Sequence, residues 1–178
     1  MLAPETLAAL ASRLKRAPLL PVGAGTAVRH RQSSLERLLP HRPPMLLVDV
    51  IDAIDVPGRA GRGRRFLARE DQGFAGHFPA DPIYPGVLVV EAMGQLGLAL
   101  RHFVGAGTVD APPDALARRV RAVHIHRATF LAPFRPGDTM TLHAQVVDAD
   151  GLTMVAAGQA WKNETLAAFA VSEVYLDD

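Results

Sequence analysis

The chain has 178 residues, 49% of them hydrophobic, which is enough for one domain with a substantial core. Its formal net charge is only +1 at pH 7, so no global field favours nucleic acid as a partner. The absence of cysteine excludes disulfides, thiolate nucleophiles and cysteine-ligated metals, and it is compatible with the reducing cytoplasm. We therefore expect a cytoplasmic protein whose chemistry does not involve sulfur.

Residues 1–35 are predicted to form an N-terminal extension that consists of a short helix and a loop. Leucines recur at helical spacing within residues 5–17, which predicts an amphipathic helix. Proline and glycine interrupt residues 18–31, which predicts a loop. The basic residues of the extension follow its apolar ones, the reverse of the order in a secretory signal. No later run predicts a membrane span, so we expect no insertion into a membrane.

The remaining residues, 36–178, are predicted to form one larger domain that begins with a β-hairpin. Residues 45–56 are rich in Val and Ile, which indicates a strand. Pro57 and Gly58 then predict a turn, so that residues 59–67 return as the second strand.

A histidine follows in a stretch too rich in glycine and proline for regular structure. His77 lies between Gly76 and Phe78-Pro79, which predicts a loop. Histidine is the side chain most easily used as a base near neutral pH, so His77 is a candidate general base. The alternative is a structural or solvated loop histidine.

A buried helix is predicted over residues 87–100, because this stretch offers only two polar side chains and Pro85 suits a first helical position. The two polar residues, Glu91 and Gln95, are four apart and share one face, where the amide can hydrogen-bond the carboxyl. Burial alone raises the pKa of a carboxyl group, so Glu91 is a candidate proton donor. The alternative is a Glu91 that lies in solvent near a helix end.

Further strands are predicted after the helix. A long alternating segment begins at residues 120–126, and residues 140–147 and 153–161 flank Asp150-Gly151, a strong hairpin signal. Residues 166–175 complete the series. One long helix among antiparallel strands must bury itself against their sheet, which predicts an α+β fold.

Three blocks of the sequence resemble the FabZ-type 3-hydroxyacyl-acyl-carrier-protein dehydratases of the FabA/FabZ family, in the family's order. The first block is Leu39-Pro40-His41-Arg42-Pro43 with residues 45–49. The second block comprises Gly76-His77-Phe78-Pro79, Pro82-Ile83, Pro85-Gly86-Val87-Leu88, Glu91-Ala92-Met93 and Gln95. The third block is Phe130 with Pro133 and Pro136-Gly137-Asp138. Long ordered blocks are far more specific than a short motif. The related FabA-type dehydratase-isomerases have Asp where this chain has Glu91, so the FabZ type fits better.

The resemblance implies a hot-dog fold, in which a curled antiparallel sheet wraps around the central helix and two protomers join their sheets. We expect a homodimer or a trimer of dimers. The implied reaction removes water from a (3R)-hydroxyacyl group on acyl carrier protein and gives the trans-2-enoyl product. The implied partner is acyl carrier protein, whose phosphopantetheine arm carries the substrate, and neither a redox cofactor nor a metal is expected.

The resemblance also implies roles for particular residues. His77 takes the C2 proton, and Glu91 of the other protomer protonates the departing hydroxyl. The Gly86 N–H at the helix start stabilises the enolate oxygen, and the Ile83 carbonyl orients His77. Gln95 is expected to orient Glu91, although plain helix packing is an equal alternative.

Two smaller features qualify the resemblance. Gly94 and Ala80 depart from the family's usual Ala and Gly, and because glycine costs a helix about 1 kcal/mol relative to alanine, Gly94 suggests close packing. His41 matches a family position, but it has an equally good reading as a turn residue and is not predicted to be catalytic.

Arginines cluster on the predicted strands despite the small net charge. A basic rim would steer an acidic carrier protein to the site, although such clusters are often only solvated faces. The candidate docking residues are Arg62, Arg64, Arg65, Arg69, Arg118, Arg119 and Arg121. His124 and His126 share a strand face, but no third ligand is evident, so no metal site is predicted.

Three other activities stay open at this point. They are a FabA-like dehydratase-isomerase, a hot-dog acyl thioesterase, and a noncatalytic subunit that binds carrier-borne acyl chains. The sequence also leaves open the acyl chain length and the pathway, which could be fatty-acid, polyketide or polyene synthesis.

Overall fold

The computed structural model describes residues 3–112, 115, 117 and 119–177. Helices and strands follow one another along the chain, with a short 3-10 turn at Gln72–Phe74. The elements are α1 (Pro4–Leu14), β1 (Thr26–His30), α2 (Gln32–Leu38), β2 (Val50–Asp55), β3 (Ala60–Phe66), α3 (Gly86–Ala106), β4 (Arg119–Phe130), β5 (Thr139–Ala149), β6 (Thr153–Lys162) and β7 (Thr165–Asp177).

The strands form one sheet in the order β1-β2-β3-β5-β6-β7-β4, and all neighbours in it are antiparallel. The sheet packs on α3, whose apolar residues supply much of the main core. This arrangement confirms the predicted α+β hot-dog fold. The sheet has two edges, and the long strand β4 forms one of them.

Glycines at the contact between α3 and the sheet allow the helix to approach closely. A β-carbon at Gly158 would lie 2.6 Å from Cβ of Met93, and one at Gly97 would lie 2.9 Å from Cβ of Ala156. Larger residues at these positions would force the helix away from the sheet.

By length and composition α3 could cross a membrane, but 61% of its most apolar window is buried within the fold, as in the core helix of a soluble protein.

Gly94 does not behave as predicted. A β-carbon there would meet nothing within 4 Å, so the expected close packing at Gly94 is wrong for the single protomer. A glycine within a helix does not require a close neighbour, and Gly94 is only half-buried and lies on the side of α3 that the sheet does not cover.

The N-terminal extension departs in part from its prediction. The predicted helix is present as α1, and its apolar face packs on the outer side of β6 and β7. The segment predicted as a loop instead contains β1, which pairs with β2 at the sheet edge. Hydrogen bonds to β2 place this short stretch in the sheet, although its side chains show little of the polar and apolar alternation that predicts a strand. The boundary predicted after residue 35 falls inside α2, so a helix-plus-loop extension does not describe residues 1–35.

Two strand boundaries also differ from the sequence expectation. The first hairpin strand begins at Val50 rather than at residue 45. The backbone N–H groups of Met45 and Leu46 donate to Arg42 O, and that of Leu47 donates to the Gln95 side chain on α3, so these residues do not pair with a strand. The turn between β5 and β6 contains Asp150, Gly151 and Leu152, one residue more than predicted. The Asp150 carboxylate accepts hydrogen bonds from the backbone of Leu152 and Thr153, which closes this longer turn.

Candidate active site

The loop that carries His77 is closed by backbone hydrogen bonds. His77 N donates to Phe74 O at 3.1 Å, and Ile83 N donates back to His77 O at 2.9 Å. Tyr84 N then donates to Phe134 O at 2.9 Å, which fastens the end of the loop to the segment after β4. The loop therefore presents its histidine in a defined position although it contains no regular structure.

The His77 ring is held in one tautomer by the contact that the resemblance implied. Its Nδ1 lies 2.9 Å from Ile83 O, and because a carbonyl can only accept, Nδ1 must carry the proton of this hydrogen bond. In the neutral form of the ring, the other nitrogen, Nε2, is then the one that can accept a proton. The ring also stacks on Phe78, with centroids 4.2 Å apart.

His77 faces a cavity of about 490 Å³ whose lining is mostly apolar. Phe130 to Phe134 form one wall, and Tyr84, Val89 and Ala168 lie around the rest. A cavity of this volume and character suits an acyl chain with one reacting end near the histidine.

Gly86 is the first residue of α3 and lines the same cavity. The N–H groups of a first helical turn have no acceptor within the helix, so they can donate to a developing oxyanion. A β-carbon on Gly86 would lie 2.8 Å from Cε1 of Phe130. Glycine at this position therefore lets the Phe130 ring lie directly against the helix start.

Glu91 belongs to a separate polar cluster. The predicted bond is present, since Gln95 Nε2 donates to Glu91 Oε1 at 2.8 Å. Gln95 is only 1% exposed and also donates to Met45 O and accepts from Leu47 N, both at 2.8 Å. These bonds fix the amide, so Gln95 holds the carboxyl in place.

His41 is the residue that sequence reasoning missed. Its Nε2 lies 3.2 Å from Glu91 Oε1, on the same carboxyl oxygen that Gln95 contacts. The signal was available, because His41 lies in the first block of the resemblance, but the block alone did not indicate what this histidine contacts.

The pKa of Glu91 is lowered, which corrects the sequence expectation of a raised value. The main cause is the hydrogen bond from His41, and the bond from Gln95 acts in the same direction. Burial opposes both, but it is incomplete, because the Glu91 side chain is 39% exposed. Hydrogen bonding to the charged form therefore outweighs desolvation in the single protomer.

Within one protomer, the two candidate reacting groups do not share a cavity. Glu91 is not among the residues that line the cavity of His77. One turn before Glu91, on the same side of α3, Val87 is 74% exposed. This side of the helix is open in the single protomer.

The candidate docking arginines differ in what they contact. Arg62 and Arg65 are largely buried in ion pairs, Arg62 with Asp52 and Arg65 with Asp71 and Asp49, which corrects their assignment to a surface rim. Arg64 also pairs with Asp52, although its own side chain is exposed. Arg69, Arg119 and Arg121 are exposed, and the Arg121 guanidinium lies 5.4 Å from the Tyr175 ring centroid. Arg118 lies outside the described residues.

The two strand histidines form a small cluster of their own. The rings of His124 and His126 stack with centroids 4.4 Å apart, and His126 Nε2 lies 2.9 Å from Glu173 Oε2. In the part of the chain that the structure describes, no three His, Asp or Glu side chains are grouped as a metal site requires.

Comparison with known proteins identifies the family. The FabA-like domain family matches residues 39–170. The 3-hydroxyacyl-[acyl-carrier-protein] dehydratase FabZ of Nitratiruptor sp. is 32% identical over 144 residues, which cover 81% of this chain and 95% of the relative. FabZ of Campylobacter jejuni is 35% identical with the same coverage.

Solved structures agree on the fold. A chain of the dehydratase heterocomplex ApeI:P from Xenorhabdus doucetiae aligns with a TM-score of 0.61 and 18% identity, and the alignment covers 81% of this chain and 91% of that one. Cj0977, a virulence protein of Campylobacter jejuni, aligns with a TM-score of 0.53 and 14% identity, over 82% of this chain and 89% of its own. The protein is thus a hot-dog protein, and the chain belongs to the FabA-like family, with FabZ dehydratases among its relatives.

Proposed function

We propose that this protein dehydrates (3R)-hydroxyacyl groups on acyl carrier protein to trans-2-enoyl groups, as a hydro-lyase of fatty-acid synthesis. The observation that carries the proposal is His77, whose Nδ1 is bound to Ile83 O and whose Nε2 is left as a base beside an apolar cavity. FabZ relatives at 32 to 35% identity, which are named as dehydratases of this substrate class, support it.

The proposed reaction begins at C2 of the acyl thioester. His77 Nε2 takes the C2 proton, and the electron pair moves onto the thioester carbonyl, whose oxygen accepts a hydrogen bond from Gly86 N–H. The electrons then return to form the C2–C3 double bond while the C3–O bond breaks. Glu91 donates a proton to the leaving hydroxyl, which departs as water. The substrate thus gives one proton to His77 and receives one from Glu91.

The two groups are proposed to come from different protomers. Glu91 lies outside the cavity of His77 in its own chain, and the side of α3 that carries Glu91 is open. β4 offers a long sheet edge with exposed Val123, Ile125 and Phe130, which suits pairing with a second copy. A homodimer in which each site takes His77 from one chain and Glu91 from the other accounts for both features.

The lowered pKa of Glu91 fits this proposal once a dimer forms. A proton donor must carry its proton before the hydroxyl leaves, and in the single protomer the hydrogen bond from His41 favours the ionised carboxylate. A partner chain and an acyl group would cover the exposed part of Glu91, and their desolvation of the carboxylate raises its pKa. The proposal requires this desolvation to outweigh the hydrogen bond from His41 when the substrate is bound.

The cavity has room for the acyl chain, and the phosphopantetheine arm is proposed to enter beside Phe78, which is exposed and stacks on the His77 ring. An acid and a base suffice for this elimination, so neither a redox cofactor nor a metal is proposed.

Arg69, Arg119 and Arg121 are the exposed basic residues proposed to contact an acidic carrier protein in a salt-dependent manner.

The test is mass spectrometry of carrier-bound (3R)-hydroxyacyl chains of several lengths, incubated with the protein without added nucleotide or metal. Loss of one water with the acyl group still attached supports the proposal. His77→Ala and Glu91→Gln should abolish that loss, since each removes one reacting group. Release of a free acid would instead identify a thioesterase, and an unchanged substrate would identify a noncatalytic binding subunit. An isomerised enoyl product would identify a FabA-like enzyme; because it has the same mass as the trans-2-enoyl product, it is recognised by chromatography against standards of both isomers.

A further inference from the structure

A second cleft lies between the N-terminal helix and the sheet, apart from the cavity of His77. Its volume is about 580 Å³, and its walls come from α1, the turn between β2 and β3, and the last residues of β5. No residue lines both this cleft and the cavity of His77. Helix α1 precedes the family match at residues 39–170, so this chain adds a wall that the matched segment does not supply.

The charged residues that line this cleft are all cationic. Arg13 approaches from α1 and Arg59 from the β2–β3 turn, and no described carboxylate lines the cleft. Neither guanidinium forms an ion pair with any residue that the structure describes. The nearest carboxylate with a contact to the lining is that of Asp55, which accepts a hydrogen bond from Gly58 N at 3.1 Å but does not line the cleft. Two positive charges that face one cleft and are not in ion pairs favour an anion there.

A hydrogen bond holds the Arg13 side chain in place, whereas the Arg59 guanidinium bonds to no residue that the structure describes. Arg13 Nη2 donates to Gln145 Oε1, and Gln145 Nε2 donates to Gly58 O at 2.9 Å. Arg59 Nε is buried and has no hydrogen-bond partner. A buried donor without an acceptor is uncommon in a native fold, because it keeps the full cost of its lost hydration.

The backbone of Arg59 is itself unusual. Its φ of +54° lies in the left-handed region, which a long side chain seldom adopts. Hydrogen bonds on both sides enforce this geometry: Arg59 N donates to Val56 O at 3.1 Å, and Val146 N donates to Arg59 O at 2.9 Å. These bonds hold the Arg59 backbone, and with it the base of the side chain, in one position at the cleft.

We propose that this cleft binds a phosphate monoester that carries a short aliphatic group. Arginine forks bind phosphate oxygens in a bidentate manner, and a dianion matches the two guanidiniums of Arg13 and Arg59. Thr6 adds a hydroxyl to the polar side, while Leu10, Pro57 and Val147 give the other side an apolar surface. This binding is independent of the dehydratase reaction, since it involves neither His77 nor Glu91.

Isothermal titration calorimetry of the full chain tests the proposal with n-butyl phosphate, inorganic phosphate and butyrate. Butyl phosphate should bind in a saturable manner and at least fivefold more tightly than either other probe, because only it satisfies both the cationic and the apolar sides. Its affinity should fall as salt rises. No saturable heat with butyl phosphate, or equal affinity for all three probes, would overturn the proposal.

Three variants locate the binding. Arg13→Gln and Arg59→Asn should each weaken butyl phosphate at least tenfold, and asparagine tolerates the left-handed region, so the turn at residue 59 is kept. Arg16→Gln is the matched control, because this exposed arginine follows α1 but does not line the cleft. Unchanged affinity in both cleft variants, with far-ultraviolet circular dichroism that matches the wild type, would also reject the site. Dehydration of carrier-bound substrate is assayed separately, so failure of either proposal is visible without the other.

Discussion

The protonation state of Glu91 depends on one neighbouring side chain more than on burial. Its carboxyl oxygen accepts from Gln95 and lies 3.2 Å from His41 Nε2. Gln95 is fixed by backbone groups on both sides, whereas His41 Nδ1 is buried and has no hydrogen-bond partner. His41 is therefore a positioning residue. Its replacement changes the pKa of the Glu91 carboxyl and leaves the hydrogen bonds of Gln95 intact.

We predict that His41→Ala raises the pKa of Glu91, because the substitution removes the largest cause of its lowering. The carboxyl ¹³C shift of Glu91, followed by NMR from pH 7 to pH 3, reports the change directly. The Glu91→Gln variant identifies the resonance by its absence. A midpoint that stays the same or falls would show that His41 does not stabilise the carboxylate.

The helix start offers a second test at the scale of one residue. Gly86→Ala places a β-carbon 2.8 Å from Cε1 of Phe130, so this ring, which lines the acyl cavity, must shift and change the shape of the cavity wall. We expect kcat/KM for hydroxyacyl substrates to fall about tenfold or more, which corresponds to roughly 1.4 kcal/mol of transition-state stabilisation.

Two comparisons separate this effect from a general change in α3. Gly105→Ala is the matched control, since a β-carbon at this α3 position meets nothing within 4 Å. Combining Gly86→Ala with Phe130→Leu should restore part of the lost activity, because the smaller side chain makes room. Equal loss in the Gly105→Ala variant, or no recovery in the double variant, would contradict the steric explanation.

At the scale of elements, the N-terminal segment is fastened to the sheet by two buried polar side chains. Gln159 donates to Leu14 O and Ala17 O and accepts from Leu19 N. His143 Nδ1 accepts from Leu20 N at 3.2 Å. Sequence reasoning found α1 from its leucine spacing, but it could not find these anchors, because they join residues more than a hundred positions apart.

His143 makes this attachment sensitive to pH. Burial lowers its pKa to about 4 from an ordinary 6.5, with a further lowering by the charge of Arg62 and an opposing effect of Asp52. Between pH 6.5 and pH 4, His143 is protonated in the unfolded chain but stays neutral in the folded chain. The contribution of His143 to the free energy of unfolding is therefore complete above pH 6.5 and is lost as the pH falls toward 4.

We predict that the free energy of unfolding of the wild type falls between pH 6.5 and pH 4 by about 3 kcal/mol more than that of His143→Gln. Urea unfolding at several pH values measures both proteins. Other groups titrate in the same window, but they are common to the two proteins and cancel in the difference. Parallel pH profiles would show that His143 is not held neutral in the folded state.

At the scale of the whole molecule, the sequence was most informative where pattern and chemistry are local. The α3 helix, the Glu91–Gln95 bond and the strands from Thr139 onward follow from helical spacing, alternation and turn residues. β1 was missed because proline and glycine interrupt residues 18–31 and hide a short strand that forms by pairing with β2. The lowered pKa of Glu91 was missed because its main cause, His41, is fifty positions away in the chain.

The open side of α3 and the edge strand β4 give the protomer two surfaces that a second copy can cover. Val87 and Glu91 lie on the first, and Val123 and Ile125 on the second. In the proposed homodimer, Glu91 of one chain completes the cavity of His77 in the other. Which chain supplies each group is therefore the property of the assembly that decides whether the proposed site exists.

We predict that inactive His77→Ala and Glu91→Gln chains recover activity when they are coexpressed. With random pairing about half of the dimers are mixed, and each mixed dimer has one site with both groups intact and one with neither, so activity should approach roughly a quarter of wild type. Mixed dimers isolated through two different tags make the measurement independent of the pairing ratio. If these dimers are folded and still inactive, both groups of a site come from the same chain, because only that arrangement leaves every site with one group missing.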